Sequence, residues 1–405
     1  MKKTIYIPLI LFVLGIFVGY ENPELVINTK KNFKYFFKTD ETIQKTFKVQ
    51  EIKEDIINAN SFDVSFTKKM TFENQSAALL IDKNNNLEMI RSDGKIENLD
   101  EIKDMRKTFN FYEKKSGGVR AAFVVKNKKF IWQANKSLNC FYASLVRVED
   151  NKELLKTDCL PDEENIDFSG LGGGHVFKDG YIYLAIGTPT HKSSKIDNLS
   201  QNLESFYGKI IKFKVDDLIN KNIVKINYEI VSLGHRNPQG LAVVGENIYG
   251  IEHGPRGGDE INLIKENKNY GWPIYSMGIT YEKDKKFLHV PLDKKYSLPL
   301  YAFLPAIAPS DLSRCPTNLE KYYSEFDCLL ALSLRGMSFL VILIDKDKKS
   351  VVSIEQIVFG ERLRKFGRNE LMNLYEKDNN IFYVTTDQNN IYGLKFTNFV
   401  KNEKN

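Results

Sequence analysis

The chain has 405 residues and a formal net charge of +6, with 58 basic and 52 acidic side chains interspersed along it. This small excess excludes a nucleic-acid binder that acts through bulk charge. A hydrophobic content of 42% and an aromatic content of 12% exclude a disordered chain and permit a sizeable core.

The chain begins with a short basic segment followed by an apolar one. Lys2 and Lys3 precede an almost uncharged stretch from Ile5 to Tyr20, which is the pattern of a secretory signal or a signal anchor. The stretch is at the short end for spanning a bilayer, and a clear small-x-small cleavage site does not follow it. Residues 1–22 are therefore predicted to export the chain, either as a cleaved signal or as an anchor through residues 4–20. The remainder would be periplasmic, or held outside the cytoplasm at the membrane.

Residues 23–56 are Lys-rich and are predicted to form a spacer, and residues 400–405 are predicted to be a polar tail. The four cysteines form two local pairs, which in an exported chain suits two disulfides that close short loops. Of the three connectivities that four cysteines allow, we predict Cys140–Cys159 and Cys315–Cys328. The lack of a CxxC spacing argues against a zinc knuckle or a thiol-redox site.

From about Ser61 onward the chain is a succession of short β-like runs separated by Asn, Asp, Gly and Lys turns. A turn residue followed by an apolar-aromatic-apolar run recurs at 179–184, 246–250 and 380–384. Helical patterns are nearly absent, and 318–326 is the best short one. Other predicted strands are 77–81, 121–125, 210–215, 329–334 and 391–396. The pattern predicts an all-β fold, either a β-propeller or a large sandwich.

Three segments rich in glycine, proline and polar residues, 232–240, 252–260 and 269–273, are predicted to be loops. Loops on a rigid sheet scaffold are the usual place for binding groups. Gly254 and Pro255 offer two successive carbonyl oxygens near the carboxylates of Asp259 and Glu260, and oxygen ligands of this kind suit calcium. The alternative is a rigid turn whose polar groups are satisfied internally.

Six strings occur in the order found in a known family. They are DGYIYLAIG, GKIIKF, GHRNPQG, EHGPRGGDEINLI, KNYGWP and PAIAPS. On these motifs the chain resembles the pyrroloquinoline quinone (PQQ)-dependent soluble aldose-sugar and glucose dehydrogenases, the glucose/sorbosone dehydrogenase family, firmly over about 165–395 and more weakly back to about 60. The resemblance implies a six-bladed β-propeller over residues 57–399, with PQQ and calcium in a cleft on top. It also implies hydride transfer from the anomeric carbon of an aldose to PQQ.

The resemblance carries over a set of cofactor contacts. The positions that match PQQ contacts are Arg236 and Asn237 over the reactive quinone, Gln201, Arg335, Arg362 and Arg364. PQQ has three carboxylates, and planar guanidinium forks suit them by bidentate hydrogen bonding. Only eleven arginines occur in the chain, and five lie in these motifs, Arg256 included. This placement favours anion recognition over a general role in solubility.

The resemblance also implies two calcium sites. Gly254 and Pro255 match the backbone carbonyls that bind the PQQ-linked calcium. Glu260 and the backbone of Tyr270 match part of a second, structural calcium site.

The chain departs from the family at the catalytic base. The family's histidine, which takes the proton of the anomeric hydroxyl, aligns with Gly170, and the supporting acidic residue aligns with Thr188. His175, five places further on, and His191 are the candidate substitutes. Loss of general-base assistance typically costs about 10²–10⁴-fold in rate, so it would weaken the reaction without removing cofactor binding.

Three functions are consistent with these features. The first is a PQQ- and calcium-dependent aldose dehydrogenase whose base is substituted or impaired. The second is an exported, non-catalytic propeller that binds a ligand or protein partner through the same cleft. The third, a metal-dependent hydrolase, needs a His/carboxylate cluster that five scattered histidines do not supply. Because the chain has no haem-attachment CxxCH motif, a dehydrogenase would use an external electron acceptor.

Overall fold

The computed structural model describes residues 56–400, apart from 83, 99–101, 105–109, 161–165, 190–193, 282–294, 371–373 and 377–379. The chain divides into two compact units, Met1–Asp55 and Ile56–Asn405, and everything that follows concerns the second. The predicted signal or anchor and spacer therefore lie almost wholly outside the described residues. Within the part of the chain that is described, no helix combines the length and the apolar character needed to cross a membrane.

The described residues are mostly β-strand. β1 (Ile56–Asn58) and β2 (Asp63–Thr71) come first. Group 1 is β3 (Ser76–Ile81), β4 (Leu87–Arg91), β5 (Lys95–Glu97) and β6 (Ile102–Asp104). Group 2 is β7 (Val119–Val125), β8 (Lys128–Ser137), β9 (Cys140–Arg147) and β10 (Lys152–Lys156). Group 3 is β11 (Gly172–Lys178), β12 (Tyr181–Ile186), β13 (Lys209–Lys214) and β14 (Glu229–Leu233), with β18 (Lys268–Asn269) parallel to β14.

The second half of the unit repeats this plan. Group 4 is β15 (Pro238–Val244), β16 (Asn247–Glu252), β17 (Asp259–Ile264) and β19 (Tyr301–Phe303). Group 5 is β20 (Pro309–Arg314), β21 (Phe326–Ser333), β22 (Ser338–Asp345) and β23 (Val351–Val358). Group 6 is β24 (Leu363–Arg368), β25 (Phe382–Thr386), β26 (Asn390–Thr397) and β2, with β1 at its edge. Within each group of four, neighbouring strands are antiparallel.

The first strands of the six groups form a closed ring of contacts, in the order β3, β7, β11, β15, β20, β24 and back to β3. The ring closes where β24 pairs parallel to β3, through Gly367 with Leu79 and Arg368 with Leu80. Group 6 is completed by β2 from the start of the unit, which pairs antiparallel with β26. The two ends of the unit are thereby held in one sheet.

The core consists of six apolar clusters, and each lies between two neighbouring groups. In the largest, Phe123 and Trp132 of group 2 pack with Leu184 of group 3. Alternating side chains of a strand point to opposite faces of its sheet. Since both faces of each group pack against a neighbour, strands such as Ser76–Ile81 are buried along their whole length.

Every first strand has a register irregularity near its start. The interruptions fall between 76 and 78, 119 and 121, 172 and 175, 238 and 240, 309 and 311, and 363 and 365. The residues left out of the pairing, which we call the bulge positions, are Ala77, Arg120, Gly173, Gly174, Gln239, Ser310 and Arg364. A β-bulge redirects a side chain out of the regular ladder. The six groups therefore present these residues at equivalent places.

Among the residues that the structure describes, helices are few and short. They are α1 (Ser194–Asn198), α2 (Val215–Ile219), α3 (Thr317–Tyr322) and the 3₁₀ turns Phe168–Leu171 and Leu199–Gln201. The predicted helix at 318–326 ends at Tyr322, because β21 begins at Phe326. Cys140 is bonded to Cys159 and Cys315 to Cys328, in the predicted pairing.

Candidate functional site

The predicted binding loops lie at the end of the unit where the bulge positions are, which we call the upper end. The prediction that these segments are loops throughout is wrong at their ends, because 232–233, 238–240, 252, 259–260 and 269 belong to strands. In an antiparallel group, the start of the first strand and the turn between the second and third strands lie at the same end. The bulge regions of neighbouring first strands are in contact, since Gly173 lies against Arg120, and Gly240 lies against Leu312. Connections before first strands and turns after second strands therefore meet here.

Arg236 lies in the loop between β14 and β15, and its side chain contacts two neighbouring loops. Its Nη1 donates to the carbonyl oxygens of Gly254 (2.7 Å) and His253 (3.3 Å). Its guanidinium lies over the Trp272 ring, 5.2 Å from the centroid, which is a cation–π contact. Burial lowers the pKa of Arg236, and Asp197 opposes this shift. The side chain predicted to contact PQQ is thus a partly desolvated cation that is fixed by hydrogen bonds and by the Trp272 ring.

The backbone around Arg236 is fixed by buried polar groups. Glu252 accepts hydrogen bonds from the Arg236 backbone N–H (2.9 Å) and from Asn262 Nδ2 (2.9 Å), and it is paired with His235 Nδ1 (3.0 Å). Asn237 is 9% exposed, and its Oδ1 accepts from Gln239 Nε2. A site built on such satisfied supports keeps its geometry when a ligand arrives.

The two carbonyls predicted to bind the PQQ-linked calcium both accept hydrogen bonds from side chains. Gly254 O accepts from Arg236, and Pro255 O accepts from Tyr281 Oη (3.0 Å). Asp259 holds the turn, because its carboxylate accepts from the backbone N–H groups of Gly254 and Ile307. Each carbonyl has a second lone pair, so this donor set fits an oxygen-ligated cation, provided that further oxygens come from a bound ligand.

Glu260 and Tyr270, predicted for the second calcium, line one small cavity of about 10 Å³ together with Glu252. Burial first, and then the charge of Glu252, raise the pKa of Glu260 to about 8. Two buried carboxyl groups beside a cavity this small suit a single cation or a single water molecule. Among the described residues, no group of three or more His, Cys, Asp or Glu side chains could hold a metal on its own.

The three arginines predicted to bind carboxylates differ in exposure. Arg364 is 23% exposed and pairs through Nε with Asp387, while Arg362 is 62% exposed and lies 3.9 Å from the same carboxylate. Arg335 is exposed, in the turn between β21 and β22, with its backbone N–H on Ile307 O. Arg364 is therefore the least exposed of the three.

Two polar residues that the sequence reasoning missed belong to this end of the unit. Arg120 is the bulge residue of β7, and the charge of Arg364 contributes to lowering its pKa, after burial. The Gln75 side-chain oxygen, in the amide orientation that satisfies it, accepts from Arg364. Neither residue lies in a recognisable motif, and only the bulge geometry and the chain closure bring them here.

Gly170, the position predicted to align with the family's base, is closed by backbone. A Cβ placed on Gly170 would lie 2.5 Å from the Thr188 carbonyl oxygen. Thr188 is itself tied to the Arg236 carbonyl through its backbone N–H (2.8 Å) and its Oγ1 (3.2 Å). A histidine at this position would need the 188–189 backbone to move.

His175 lies in β11, and its ring packs on Phe123, 5.3 Å between centroids. Its Nδ1 is 2.9 Å from Gly173 O, its Nε2 has no partner, and burial lowers its pKa to about 4. It lines a narrow cavity with Asp311 and Lys365. The ring is therefore neutral at pH 7 and is held inside the strand ring. His191, the other candidate, lies outside the described residues.

Gln201 is tied to the loop that follows β18. Its Nε2 donates to Trp272 O (2.6 Å) and to Asn269 Oδ1 (3.1 Å), and its Oε1 accepts from Asn269 Nδ2 (2.7 Å). These contacts make it a support of Trp272, the ring on which Arg236 stacks.

Comparison with known proteins places this chain in a family. The sequence profile described as Glucose / Sorbosone dehydrogenase matches residues 65–391, which is most of the chain. The chain therefore belongs to the Glucose / Sorbosone dehydrogenase family.

Individual relatives match over shorter stretches. The chain is 33% identical to the uncharacterized protein slr1608 of Synechocystis over 198 residues, 47% of this chain and 45% of that protein. It is 37% identical to the aldose sugar dehydrogenase YliI of Escherichia coli over 119 residues, 27% of this chain and 31% of that protein. These matches span less than half of each relative.

Solved structures share the fold. The soluble aldose sugar dehydrogenase of Escherichia coli, in its apo form, superposes with a TM-score of 0.65 at 20% identity, over 82% of this chain and 99% of that chain. The PQQ-bound aldose sugar dehydrogenase of Streptomyces coelicolor gives 0.56 at 17% identity, over 82% and 98%.

Proposed function

We propose that this protein is a PQQ- and calcium-dependent aldose dehydrogenase whose reaction takes place at the upper end of the unit. The observation that carries the proposal is the direct contact between Arg236 and Gly254. It joins the predicted quinone contact to the predicted calcium carbonyl in one hydrogen bond of 2.7 Å. The family membership and the relatives named above support the reaction class.

The fold proposed for this enzyme is a six-bladed β-propeller, each antiparallel group being one blade. The ring of first strands, the six apolar clusters between groups and the six bulges support this count. The β2–β26 pairing would close the ring between the first and last blades. We propose that the propeller extends over residues 57–399, within the compact unit Ile56–Asn405.

In this proposal the chain binds and orients the cofactor and the sugar. PQQ would accept the hydride from the anomeric carbon of the sugar. Arg364, Arg362 and Arg335 would bind its carboxylates, because guanidinium forks recognise planar anions. Arg236, held on Trp272, would stabilise negative charge that develops at the quinone end, as a preorganised cation does. Gly254 and Pro255 would supply carbonyl oxygens to the calcium.

The anomeric hydroxyl must also lose a proton, and Gly170 has no side chain to take it. General-base assistance is typically worth about 10²–10⁴-fold. We therefore propose a slower oxidation than a complete site would give. The closed backbone at Gly170 also favours the second candidate, a non-catalytic propeller that binds a ligand in the same cleft.

Export of the protein is part of the proposal. Two disulfides persist in oxidising compartments, and both predicted pairs are bonded. The basic-apolar start of the chain supports a periplasmic location, either free or anchored through residues 4–20.

The deciding experiment is a PQQ titration of the purified protein with and without calcium, followed by dye reduction with a panel of aldoses. Calcium-dependent binding with sugar-driven reduction would establish the dehydrogenase. Binding without turnover would favour the non-catalytic propeller. No binding of PQQ under either condition would contradict both the cofactor and the proposed arginine roles.

A further inference from the structure

A polar pocket of about 400 Å³ opens at the upper end beside group 1. It is lined by three segments, 74–75 before β3, 92–95 between β4 and β5, and 113–120 before and at the start of β7. We call it the group 1 pocket. Its volume is in the range of small-ligand sites, and no residue predicted from the family motifs lines it.

Arg120 is the distinctive group of this pocket. Its Nη1 donates to Ser116 O (3.2 Å) and its Nη2 to Ser169 O (3.4 Å). Its Nε is buried without a hydrogen-bond partner. Within the described ranges, no carboxylate lies within ion-pair distance of its guanidinium. A guanidinium whose partners are two backbone carbonyls carries a charge that no paired carboxylate offsets, and an anion in the pocket that accepts from Nη1 or Nη2 would offset it.

Arg120 and Arg364 are related by the repeat of the fold. Both are bulge residues of first strands, and the group between them has the small Ala77 at that position. Arg364 is paired with Asp387, whereas Arg120 has backbone carbonyls only. Of these three bulge residues, Arg120 lines the group 1 pocket, and Ala77 and Arg364 do not.

Among the described residues, the acidic side chains that line the pocket make no ion pair with Arg120, and Asp167, which does not line it, raises the pKa of Arg120 against the effect of burial. Asp93 is paired with Arg91, through contacts of 3.2 Å to Nε and 2.8 Å to Nη2, and it also accepts from Asn74 Nδ2. Glu113 is exposed to solvent. Lys95 adds a second cation to the lining. The remaining lining is rich in amide, hydroxyl and backbone groups, which suit the hydroxyls of a sugar.

The pocket adjoins the site of the proposed chemistry. Ser169, whose carbonyl accepts from Arg120, directly precedes Gly170. A sugar whose anomeric carbon lies by Gly170 would therefore point toward Arg120 with a part of the ring remote from that carbon.

From these relationships we infer that the group 1 pocket binds the anionic group of an acidic aldose, a sugar with a carboxylate or phosphate away from its anomeric carbon. The orientation rests on the proposed function, while the anion subsite rests on Arg120 alone. A bidentate guanidinium contact with an anion is a strong, charge-assisted interaction. The substrate class would then be an acidic sugar, with neutral aldoses bound more weakly.

The test is calorimetric titration of the full-length protein, loaded with calcium and PQQ, with D-glucuronate, glucose 6-phosphate and D-glucose. We expect at least one anionic sugar to bind about tenfold or more tightly than glucose. Arg120→Gln should weaken that binding by about 10- to 100-fold, while glucose binding and PQQ affinity stay within about twofold. Arg120→Lys should recover part of the loss, because it keeps the charge and loses the fork.

Arg314→Gln is the matched control, because Arg314 is half-exposed at the far end of β20 from its bulge. It should change none of these affinities. Preference for glucuronate or for the phosphate ester would identify the anion. Equal binding of glucose and both anionic sugars would overturn the inference, and so would an Arg120→Gln variant that loses PQQ. If the wild type binds no PQQ, the proposed function fails, and the same titration with calcium alone still decides the anion subsite.

Discussion

The Arg236 guanidinium donates to the carbonyl oxygen of Gly254 at 2.7 Å, so one hydrogen bond joins a cation to a carbonyl expected to bind another cation. Both charges would share one carbonyl oxygen. An anionic ligand that bridges the guanidinium and the metal would offset their repulsion. On the proposed function, this arrangement would make calcium binding and cofactor binding interdependent.

Arg236→Gln should therefore affect the affinity for calcium and the affinity for PQQ differently. Removal of the guanidinium frees Gly254 O and removes the repulsion, so calcium affinity without PQQ should be unchanged or tighter. PQQ affinity in saturating calcium should fall by about 10- to 100-fold, because a charge-assisted contact is lost. Calorimetry with each ligand measures both. Equal weakening of calcium and PQQ would show that Arg236 supports the calcium turn instead.

Arg364→Gln should reduce PQQ affinity more than Arg362→Gln. Arg364 is 23% exposed and ordered by Asp387 and Gln75, whereas Arg362 is 62% exposed. Surface charges that are flexible and screened contribute little, about 0–1 kcal/mol. We expect a loss of about tenfold or more for Arg364 and less than about fivefold for Arg362, measured by absorbance titration. The order would be reversed if the cofactor lay toward the rim of the cleft.

The strands and the centres of the motif loops were predictable, because their signals are local, whereas both ends of the 232–240 and 252–260 segments belong to strands. The predicted run 77–81 lies within β3, and the predicted 391–396 lies within β26. The three copies of the turn-and-strand phrase fall on β12, β16 and β25, the second strand of three different groups. The repeated sequence pattern thus marked a position that recurs in the fold.

The features that depend on distant segments were not predictable. Asp63–Thr71 forms β2 of group 6 because it pairs with the edge of β26, which lies more than 300 residues later in the chain. The role of Arg120 depends on a bulge, which leaves no mark in the strand pattern. The closure of Gly170 depends on the Thr188 carbonyl across a loop. The resemblance alone could predict the loss of the base at Gly170, but it could not reveal that the Thr188 carbonyl oxygen lies 2.5 Å from where a Cβ of residue 170 would be.

Glu260 should make the stability of the metal-free protein depend on pH. Its pKa is raised by burial and by Glu252 from its ordinary 4.5 to about 8, so the folded state binds the proton more tightly than the unfolded state. Stability should then fall as pH rises from about 4.5 to about 8. Glu260→Gln should flatten this fall, as measured by denaturant unfolding in a chelator.

In the wild type, calcium without PQQ should offset the loss of folding stability that deprotonation of Glu260 causes. A ligand at 100 times its Kd adds about 2.7 kcal/mol to the folded state, so calcium should raise Tm at pH 8 and should do so less in Glu260→Gln. Glu246→Gln is the matched control, since the Glu246 side chain is 93% exposed. A calcium effect that is equal in all three proteins would place the metal elsewhere.

Gly170→Ala should destabilise the protein, because the added Cβ would lie 2.5 Å from Thr188 O. Overpacking of this kind costs about 1–3 kcal/mol. Gly245→Asn is the comparison, because nothing lies within 4 Å of that Cβ and asparagine tolerates its φ of 55°. It should change the free energy of unfolding by less than about 0.5 kcal/mol.

The double substitution Gly170→His with Thr188→Asp would place a histidine and an acidic residue at the positions that align with the family's base and its supporting acid. The structure leads us to expect no gain in dehydrogenase rate, because Thr188 O belongs to the backbone and blocks the position whatever side chain residue 188 has. Thr188 Oγ1 also holds the Arg236 carbonyl, which the aspartate would repel. Steady-state dye reduction with PQQ and calcium bound measures the rate. A gain of tenfold or more would mean that the loop opens in solution and that only the base is missing.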